Sequence, residues 1–171
     1  MNDDWDIRVA VDCKNVLGEG PLWDVGQERL YWIDSFGNKV FRATVDGREM
    51  RSWDVPAKIG SLAIPDGGRS AIDSRQTGFH FLDLESGACT LLHDPEPHLP
   101  GTRINDGKVD KQGRFVAGSM DANEEGPNGA LYRVDSDGSV HVLERGSVSF
   151  RAGLFGASWR STQAVKQSPG Q

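Results

Sequence analysis

The sequence has few of the residues that mark disulfide-rich, metal-thiolate or nucleic-acid-binding proteins. Its 171 residues include two cysteines, Cys13 and Cys89, which lie far apart without the spacing of a zinc site. The net charge is −6, and no run of lysine and arginine forms a basic stripe, which argues against a nucleic-acid partner. No apolar stretch approaches the length of a membrane span, and residues 1–6 lack the pattern of a signal peptide. These absences predict a cytoplasmic protein without a membrane partner.

Several catalytic signatures are also missing. The four histidines, at positions 80, 93, 98 and 141, are isolated, and no two have metal-ligand spacing. There is no Gly-x-Ser-x-Gly elbow, and no Gly-x-Gly-x-x-Gly segment joins a strand to a helix. Acyl-serine and nucleotide chemistry are therefore disfavoured.

What the sequence does contain is a unit that occurs three times. The units span 20–34, 60–73 and 106–119, and each reads as a short apolar strand, a glycine-containing turn and a second strand. A second hairpin follows each unit, at 40–54, 79–93 and 130–144. Two hairpins per repeat, at a period of roughly 40 to 45 residues, are typical of four-stranded propeller blades. We therefore predict an all-β fold built from three such blades.

The boundaries of the repeats divide the chain into three parts. Residues 1–16 alternate apolar and polar, which predicts an N-terminal edge strand that could form half of a propeller clasp. Blades one, two and three are expected at about 17–56, 57–100 and 101–146. Residues 147–171 lose the alternation and the Asp-Gly turns, so they are expected to be an irregular tail.

Two places at the start of repeats carry candidate binding residues. Glu19 lies between two glycines at the head of the first repeat, where a carboxylate could point into the channel of a propeller; a solvated Glu in a glycine turn is the alternative. Arg103 and Asn105 follow the proline-rich segment 94–101 and would face the same way on an extended chain. The alternative for this pair is a turn in which Asn105 or Asp106 bonds its own backbone ahead of Gly107.

The repeats resemble a known family. Leu17-Gly-Glu-Gly-Pro-Leu-Trp23, Leu30-Tyr-Trp-Ile-Asp34 and Arg103-Ile-Asn-Asp-Gly-Lys-Val-Asp110, with Gly113-Arg-Phe-Val-Ala-Gly-Ser-Met120, are similar to segments of the senescence marker protein (regucalcin), gluconolactonase and luciferin-regenerating enzyme family. The resemblance implies a β-propeller of the six-bladed type, with calcium or zinc at the channel mouth. Many members hydrolyse sugar lactones, so a sugar lactone is the substrate that the resemblance implies.

The resemblance also assigns roles to individual residues. It makes Glu19 a metal ligand and Arg103 and Asn105 the substrate-binding pair, and it places a further substrate contact on Asn123, a position that is acidic in regucalcin. The metal would polarise the lactone carbonyl and activate water, while the pair orients the ring.

The sequence departs from the family after Val148. The resemblance predicts a Ser-Asn-Gly-Leu segment at about 148–152, with the second metal ligand, and an Asp some fifty residues later as third ligand and general base. The chain instead reads Val148-Ser-Phe-Arg-Ala-Gly-Leu154, and the Asp position lies beyond Gln171. A shifted reading frame can encode Ser-Ser-Gly-Leu-Val-Trp-Ser here, which suggests a frameshift. We therefore expect a truncated N-terminal half without a catalytic base.

Three functions follow from these observations. The first is a metal-dependent sugar-lactone hydrolase of this family, inactive in the chain as it stands because ligands and base are missing. The second is a non-catalytic calcium-binding or interaction half-propeller, self-associating through an exposed blade face, or a truncated gene product. The third keeps the fold with phosphotriester or strictosidine-type chemistry, although the pair Arg103 and Asn105 favours a polyol lactone.

Overall fold

The computed structural model describes residues 7–65 and 67–147, and within them the chain forms twelve β-strands and no α-helix. None of these residues belongs to a helix that could cross a lipid bilayer. The strands are β1 (Gly18–Asp24), β2 (Arg29–Asp34), β3 (Lys39–Ala43), β4 (Arg51–Asp54), β5 (Ile59–Ala63), β6 (Ser70–Arg75), β7 (Gly78–Asp83), β8 (Cys89–His93), β9 (Thr102–Val109), β10 (Phe115–Asp121), β11 (Gly129–Val134) and β12 (Val140–Ser147).

The twelve strands form three four-stranded antiparallel sheets, each made of four consecutive strands in chain order. The predicted hairpins are thereby confirmed, and so is the prediction of three propeller blades. Glycine defines the turn of the second hairpin in each blade, because Gly47, Gly87 and Gly138 have φ angles of 76°, 79° and 84°. Residues with a Cβ rarely adopt that conformation, so the glycine in each repeat fixes the hairpin register.

Apolar side chains at alternate positions pack the blades against one another. One cluster joins blades one and two and is mainly aliphatic, with Ile33 and Val40 packed against Ile59 and Leu82. A second cluster joins blades two and three and contains three aromatic rings, those of Phe79, Phe115 and Tyr132. The core of the molecule therefore lies between sheets, and blade two, which takes part in both clusters, buries every residue of β5.

The prediction of an N-terminal strand differs from the structure. Residues 7–17 pair with no strand of the described chain, and Ile7 and Val9 are 89% and 82% exposed. A strand needs a neighbouring ladder, and here the Asp34 carboxylate instead accepts hydrogen bonds from the backbone N–H groups of Val16 and Leu17, both at 2.9 Å. The predicted tail lies outside the described residues from position 148 onwards.

The first strand of each sheet faces the same region of the molecule. β1, β5 and β9 form the inner edges of their sheets, and β5 contacts both β1 and β9. The starts of the three repeats, which carry the candidate residues, are thereby brought together.

Candidate functional site

Each of the three inner strands contains a β-bulge, and the bulges lie at one place. In β1, Gly20 and Pro21 lie opposite a single residue of β2, and in β9 Asn105 and Asp106 lie opposite a single residue of β10. In β5 the register shifts at Gly60. A bulge bends a strand and redirects its side chains, which is why bulges are frequent beside binding sites.

The three bulges surround one cavity of about 250 Å³. Its lining consists of Glu19, Gly20, Pro21, Gly60, Asn105, Asp106 and Lys108, so every blade contributes. Two carboxylates, one amide and one ammonium group thus lie around a space large enough for a small polar molecule.

The structure brings three of the four predicted site residues together. Glu19 and Asn105 both line the cavity. Arg103 Nη1 donates a hydrogen bond to Asn105 Oδ1, so the guanidinium lies directly beside the amide. Burial lowers the pKa of Arg103, and the nearby carboxylates of Glu19 and Glu124 act in the opposite direction. The guanidinium is therefore partly desolvated and close to negative charge.

The alternative of a turn at Asn105 is not what the structure shows. The chain is extended strand through Thr102–Val109, and the side-chain oxygen of Asn105 accepts from Arg103. Glu19 lies within β1 with its side chain accessible at the cavity, which places it where a ligand could reach it.

Asn123 is not brought to the cavity. It lies in the loop between β10 and β11, is exposed, and uses its backbone N–H to bond the Asp121 carboxylate at 2.8 Å. The cavity lining contains no residue of this loop.

The oxygen atoms at the cavity suit a hard cation better than a soft one. Carboxylate oxygens are among the ligands that Ca²⁺ prefers, and Glu19 and Asp106 carry them, whereas the side-chain oxygen of Asn105 accepts from Arg103. Within residues 7–65 and 67–147, no three His, Cys, Asp or Glu side chains come close enough together to form a metal-binding group. The described residues therefore fit part of a calcium shell, completed by water or by further ligands.

A buried carboxylate holds the proline-rich segment in front of β9. Glu96 is 7% exposed and accepts hydrogen bonds from the hydroxyls of Thr102, Ser119 and Tyr132 at 2.5, 2.6 and 2.7 Å. Burial and this carboxylate raise the pKa of Tyr132, which keeps its hydroxyl a donor. Because Thr102 immediately precedes Arg103, the Glu96 network fixes where β9 begins.

Sequence reasoning missed several residues of the site. Asp106 and Lys108 belong to the same short segment as Arg103 and Asn105, yet only the bulge shows that they line the cavity. The sequence marks Gly60 only as the start of a repeat, whereas in the structure it lines one side of the cavity. No sequence signal marks Glu96, because its hydroxyl partners lie at positions 102, 119 and 132 and only the fold brings them together.

Comparison with known proteins places these features in a family. Residues 17–155 match the model of the SMP-30/Gluconolactonase/LRE-like region. The chain is 38% identical over 137 residues to an L-arabinolactonase from Azospirillum brasilense, covering 79% of this chain and 45% of that protein. It is 35% identical to regucalcin from Xenopus laevis, covering 78% and 46% of the two chains.

Solved structures give the same result for the fold. A calcium-binding protein, regucalcin, from Agrobacterium tumefaciens superimposes with a TM-score of 0.69 at 25% identity, covering 77% of this chain and 44% of that one. The chain spans about half the length of the curated relatives it matches. With twelve strands in three blades and a family model matched over residues 17–155, the chain belongs to the SMP-30/gluconolactonase/LRE-like family.

Proposed function

We propose that the cavity is part of a site that hydrolyses a sugar lactone with the help of a divalent cation, calcium or zinc. Glu19 is the cation ligand, and Arg103 and Asn105 bind the oxygens of the lactone. The observation that carries the proposal is the meeting of Glu19 and Asn105 at one cavity, with Arg103 bonded to Asn105. Relatives named as lactonases, among them an L-arabinolactonase and the pentonolactonase of Haloferax volcanii, support the substrate class.

The proposal gives each side chain a task. Arg103 donates to Asn105 Oδ1, which fixes the amide so that Asn105 Nδ2 remains as a donor toward the cavity. The guanidinium keeps further N–H groups for the hydroxyls or the carbonyl oxygen of the lactone. A bound cation supplies Lewis acidity at the carbonyl and lowers the pKa of a water molecule. Asn123, exposed on its loop, is a substrate contact only if that loop closes toward the cavity.

We further propose that the 171-residue chain alone does not turn the lactone over. Two carboxylates line the cavity, Glu19 and Asp106, and the family resemblance places a further ligand and the general base outside the described residues. Loss of a general base removes about 10²–10⁴-fold in rate. The frameshift at the tail and self-association through an exposed blade face stay predictions, testable from the coding DNA and by size-exclusion chromatography with light scattering.

Calcium titration of the whole chain by calorimetry tests the metal site. Glu19→Gln should weaken calcium binding by about tenfold or more, because a charged ligand becomes neutral. Glu85→Gln is the matched control, since Glu85 is an exposed residue in the turn between β7 and β8. Equal calcium affinity in wild type and Glu19→Gln, or no binding of calcium or zinc by the wild-type chain, would remove Glu19 from the proposal.

Hydrolysis of L-arabinono-1,4-lactone and D-glucono-1,5-lactone, followed by acid release in calcium or zinc, tests the activity. The expected rate for the chain alone equals the rate in buffer, and metal-dependent turnover would contradict the proposed inactivity. Calcium binding together with no affinity for D-glucono-1,5-lactam, a hydrolysis-resistant lactone analogue, would instead favour the non-catalytic calcium-binding module.

A further inference from the structure

Two buried serines of blade two contact the backbone of Asn105 in blade three. Ser61 on β5 and Ser74 on β6 are directly paired across the two strands and are 3% and 0% exposed. Their hydroxyl oxygens lie 2.6 Å apart, and each lies 3.0 Å from the carbonyl oxygen of Asn105. Three oxygens from three strands therefore form a closed triangle between the blades.

The bulge in β9 explains why the Asn105 carbonyl needs a donor from another blade. Asn105 has no partner in the ladder between β9 and β10, where the pairing passes from Ile104 directly to Gly107. A buried carbonyl without a hydrogen bond is costly, and the serine hydroxyls are the donors that reach it.

The number of protons in the triangle is smaller than the number of contacts. Two hydroxyls provide two protons, whereas three oxygen pairs lie within hydrogen-bond distance. Either serine can therefore donate to Asn105 while the other donates to its neighbour or to the same carbonyl. Loss of one hydroxyl leaves one donor for the carbonyl, and loss of both leaves none.

The backbone leaves little room for Asn105 to move toward blade two. A Cβ added to Gly60 would lie 2.1 Å from the Asn105 carbonyl oxygen, and one added to Gly107 would lie 2.8 Å from the Ser61 hydroxyl. The hydrogen bonds and the close backbone approach thus fix both the direction and the distance of the Asn105 peptide.

We propose that Ser61 and Ser74 are positioning residues for Asn105 and that they act redundantly, so that either hydroxyl alone holds the amide at the cavity. The proposal rests on the proposed role of Asn105 in lactone binding. Neither serine lines the cavity, so both act through the Asn105 backbone without touching the ligand.

The test is a double-mutant cycle with Ser61→Ala and Ser74→Ala in the whole chain. Each single variant should keep the wild-type carbonyl ¹³C chemical shift of Asn105, and the double variant should shift it. Urea unfolding measures the equilibrium constant for unfolding of each variant. The factor by which the double variant raises this constant should be about ten times the product of the factors for the two single variants. Ser61→Ala combined with Ser119→Ala is the matched control, because Ser119 belongs to the Glu96 network. In this pair the effects of the two substitutions on the unfolding constant should simply multiply.

Binding of D-glucono-1,5-lactam supplies a readout that a merely structural role would not move. The singles should bind the lactam with wild-type affinity, and the double variant should lose about tenfold. The proposal would be overturned if the effects of the two single variants on the unfolding constant simply multiply in the double variant and the Asn105 carbonyl keeps its wild-type chemical shift there. If the double variant does not fold, Ser61→Ala with Ser74→Cys, which retains a weak donor, decides the question by its stability. A larger loss than the product of the two corresponding single variants supports the proposal, and a loss equal to that product overturns it.

The two proposals can fail separately. If the wild-type chain does not bind the lactam, the proposed function fails, while the carbonyl shift and the coupling in urea still decide whether the serines position Asn105.

Discussion

The two interfaces between neighbouring blades are built from different chemistry. Between blades one and two the buried contacts are mainly aliphatic, with one long backbone hydrogen bond from Ile59 N–H to the Ser35 oxygen at 3.4 Å, and at the surface Arg51 donates to the Glu85 carbonyl at 2.5 Å. Between blades two and three, the ring of Phe79 lies 6.1 and 6.2 Å from those of Phe115 and Tyr132, both in edge-on geometry. The second interface also buries the hydroxyls of Ser61 and Ser74.

This difference indicates that the first interface mainly stabilises the fold, whereas the second also fixes the position of blade three. Aliphatic packing tolerates small shifts of one sheet over another, because apolar contacts have little directionality. Edge-on aromatic pairs and hydrogen bonds to a carbonyl have preferred angles, so they define the position of blade three more narrowly. The interface next to Arg103 and Asn105 is the directional one, which suits a site whose residues come from different blades.

Of the variants that test the difference between the two interfaces, Phe79→Ala is expected to lower the stability of the fold most. Phe79 is fully buried, and removing its ring should cost about 3–5 kcal/mol of unfolding free energy, measured by urea denaturation. The same variant should also displace the Asn105 carbonyl resonance. Leu84→Ala, in the cluster between blades one and two, should cost about 2–5 kcal/mol and leave that resonance unchanged. Equal displacement in both variants would show that the interfaces do not differ in this way.

Gly60→Ala should have an intermediate effect. The added Cβ would lie 2.1 Å from the Asn105 carbonyl oxygen and 2.6 Å from its carbonyl carbon, so the backbones must separate, at a cost of about 1–3 kcal/mol. Gly101→Ala is the matched control, because no atom lies within 4 Å of its added Cβ. Thermal and urea unfolding of both variants measure the effect, and the idea of a close approach fails if the two glycines behave alike.

The smallest expected effect is the pH dependence caused by Asp34 in blade one. Burial raises the pKa of Asp34, but hydrogen bonds from the backbone N–H groups of Leu17, Val16, Gly37 and Phe36 outweigh it and hold the pKa below its ordinary value. A carboxyl with a lowered folded-state pKa stabilises the fold above its ordinary pKa, and that stabilisation is lost as the pH falls through the folded-state value.

Asp34→Asn should therefore cost about 1 kcal/mol at neutral pH, and the difference from wild type should shrink below about pH 4. Urea unfolding at a series of pH values measures it. A stability difference that stays constant from neutral to acid pH would show that the charge of Asp34 is not the cause. Asp54→Asn, at an exposed position of β4, is the control and should change little.

Much of the fold could be predicted from the repeats, because each blade repeats two hairpins and has a glycine in the turn of the second one. Gly47, Gly87 and Gly138 are visible in the sequence, and all three lie in the left-handed region that the predicted hairpins require. The N-terminal strand stays a prediction, because residues 7–17 form no strand here and apolar alternation at 7–11 carries no information about whether a neighbouring strand is present to pair with it.

The site was predicted less completely, for a reason that lies in the bulges. A sequence pattern shows which residues alternate along one strand, but a bulge changes the alternation at a point that the pattern does not mark. Asn105 could be predicted from its motif, whereas the contact of its carbonyl with Ser61 and Ser74 depends on the approach of two sheets. Asp106 and Lys108 were missed for the same reason, although they lie in the same segment.

The bulges also bear on how such a site can change over evolutionary time. A bulge divides a strand into two halves, each with its own alternation of inward and outward side chains, and the residues at the bulge belong to neither alternation. Positions 19, 105 and 106 can therefore vary in chemistry while the strands that carry them keep their packing, whereas Gly60 cannot gain a side chain without moving the backbones of β5 and β9 apart. One scaffold of blades can in this way change the chemistry around the cavity by exchange of a few residues at the inner strands.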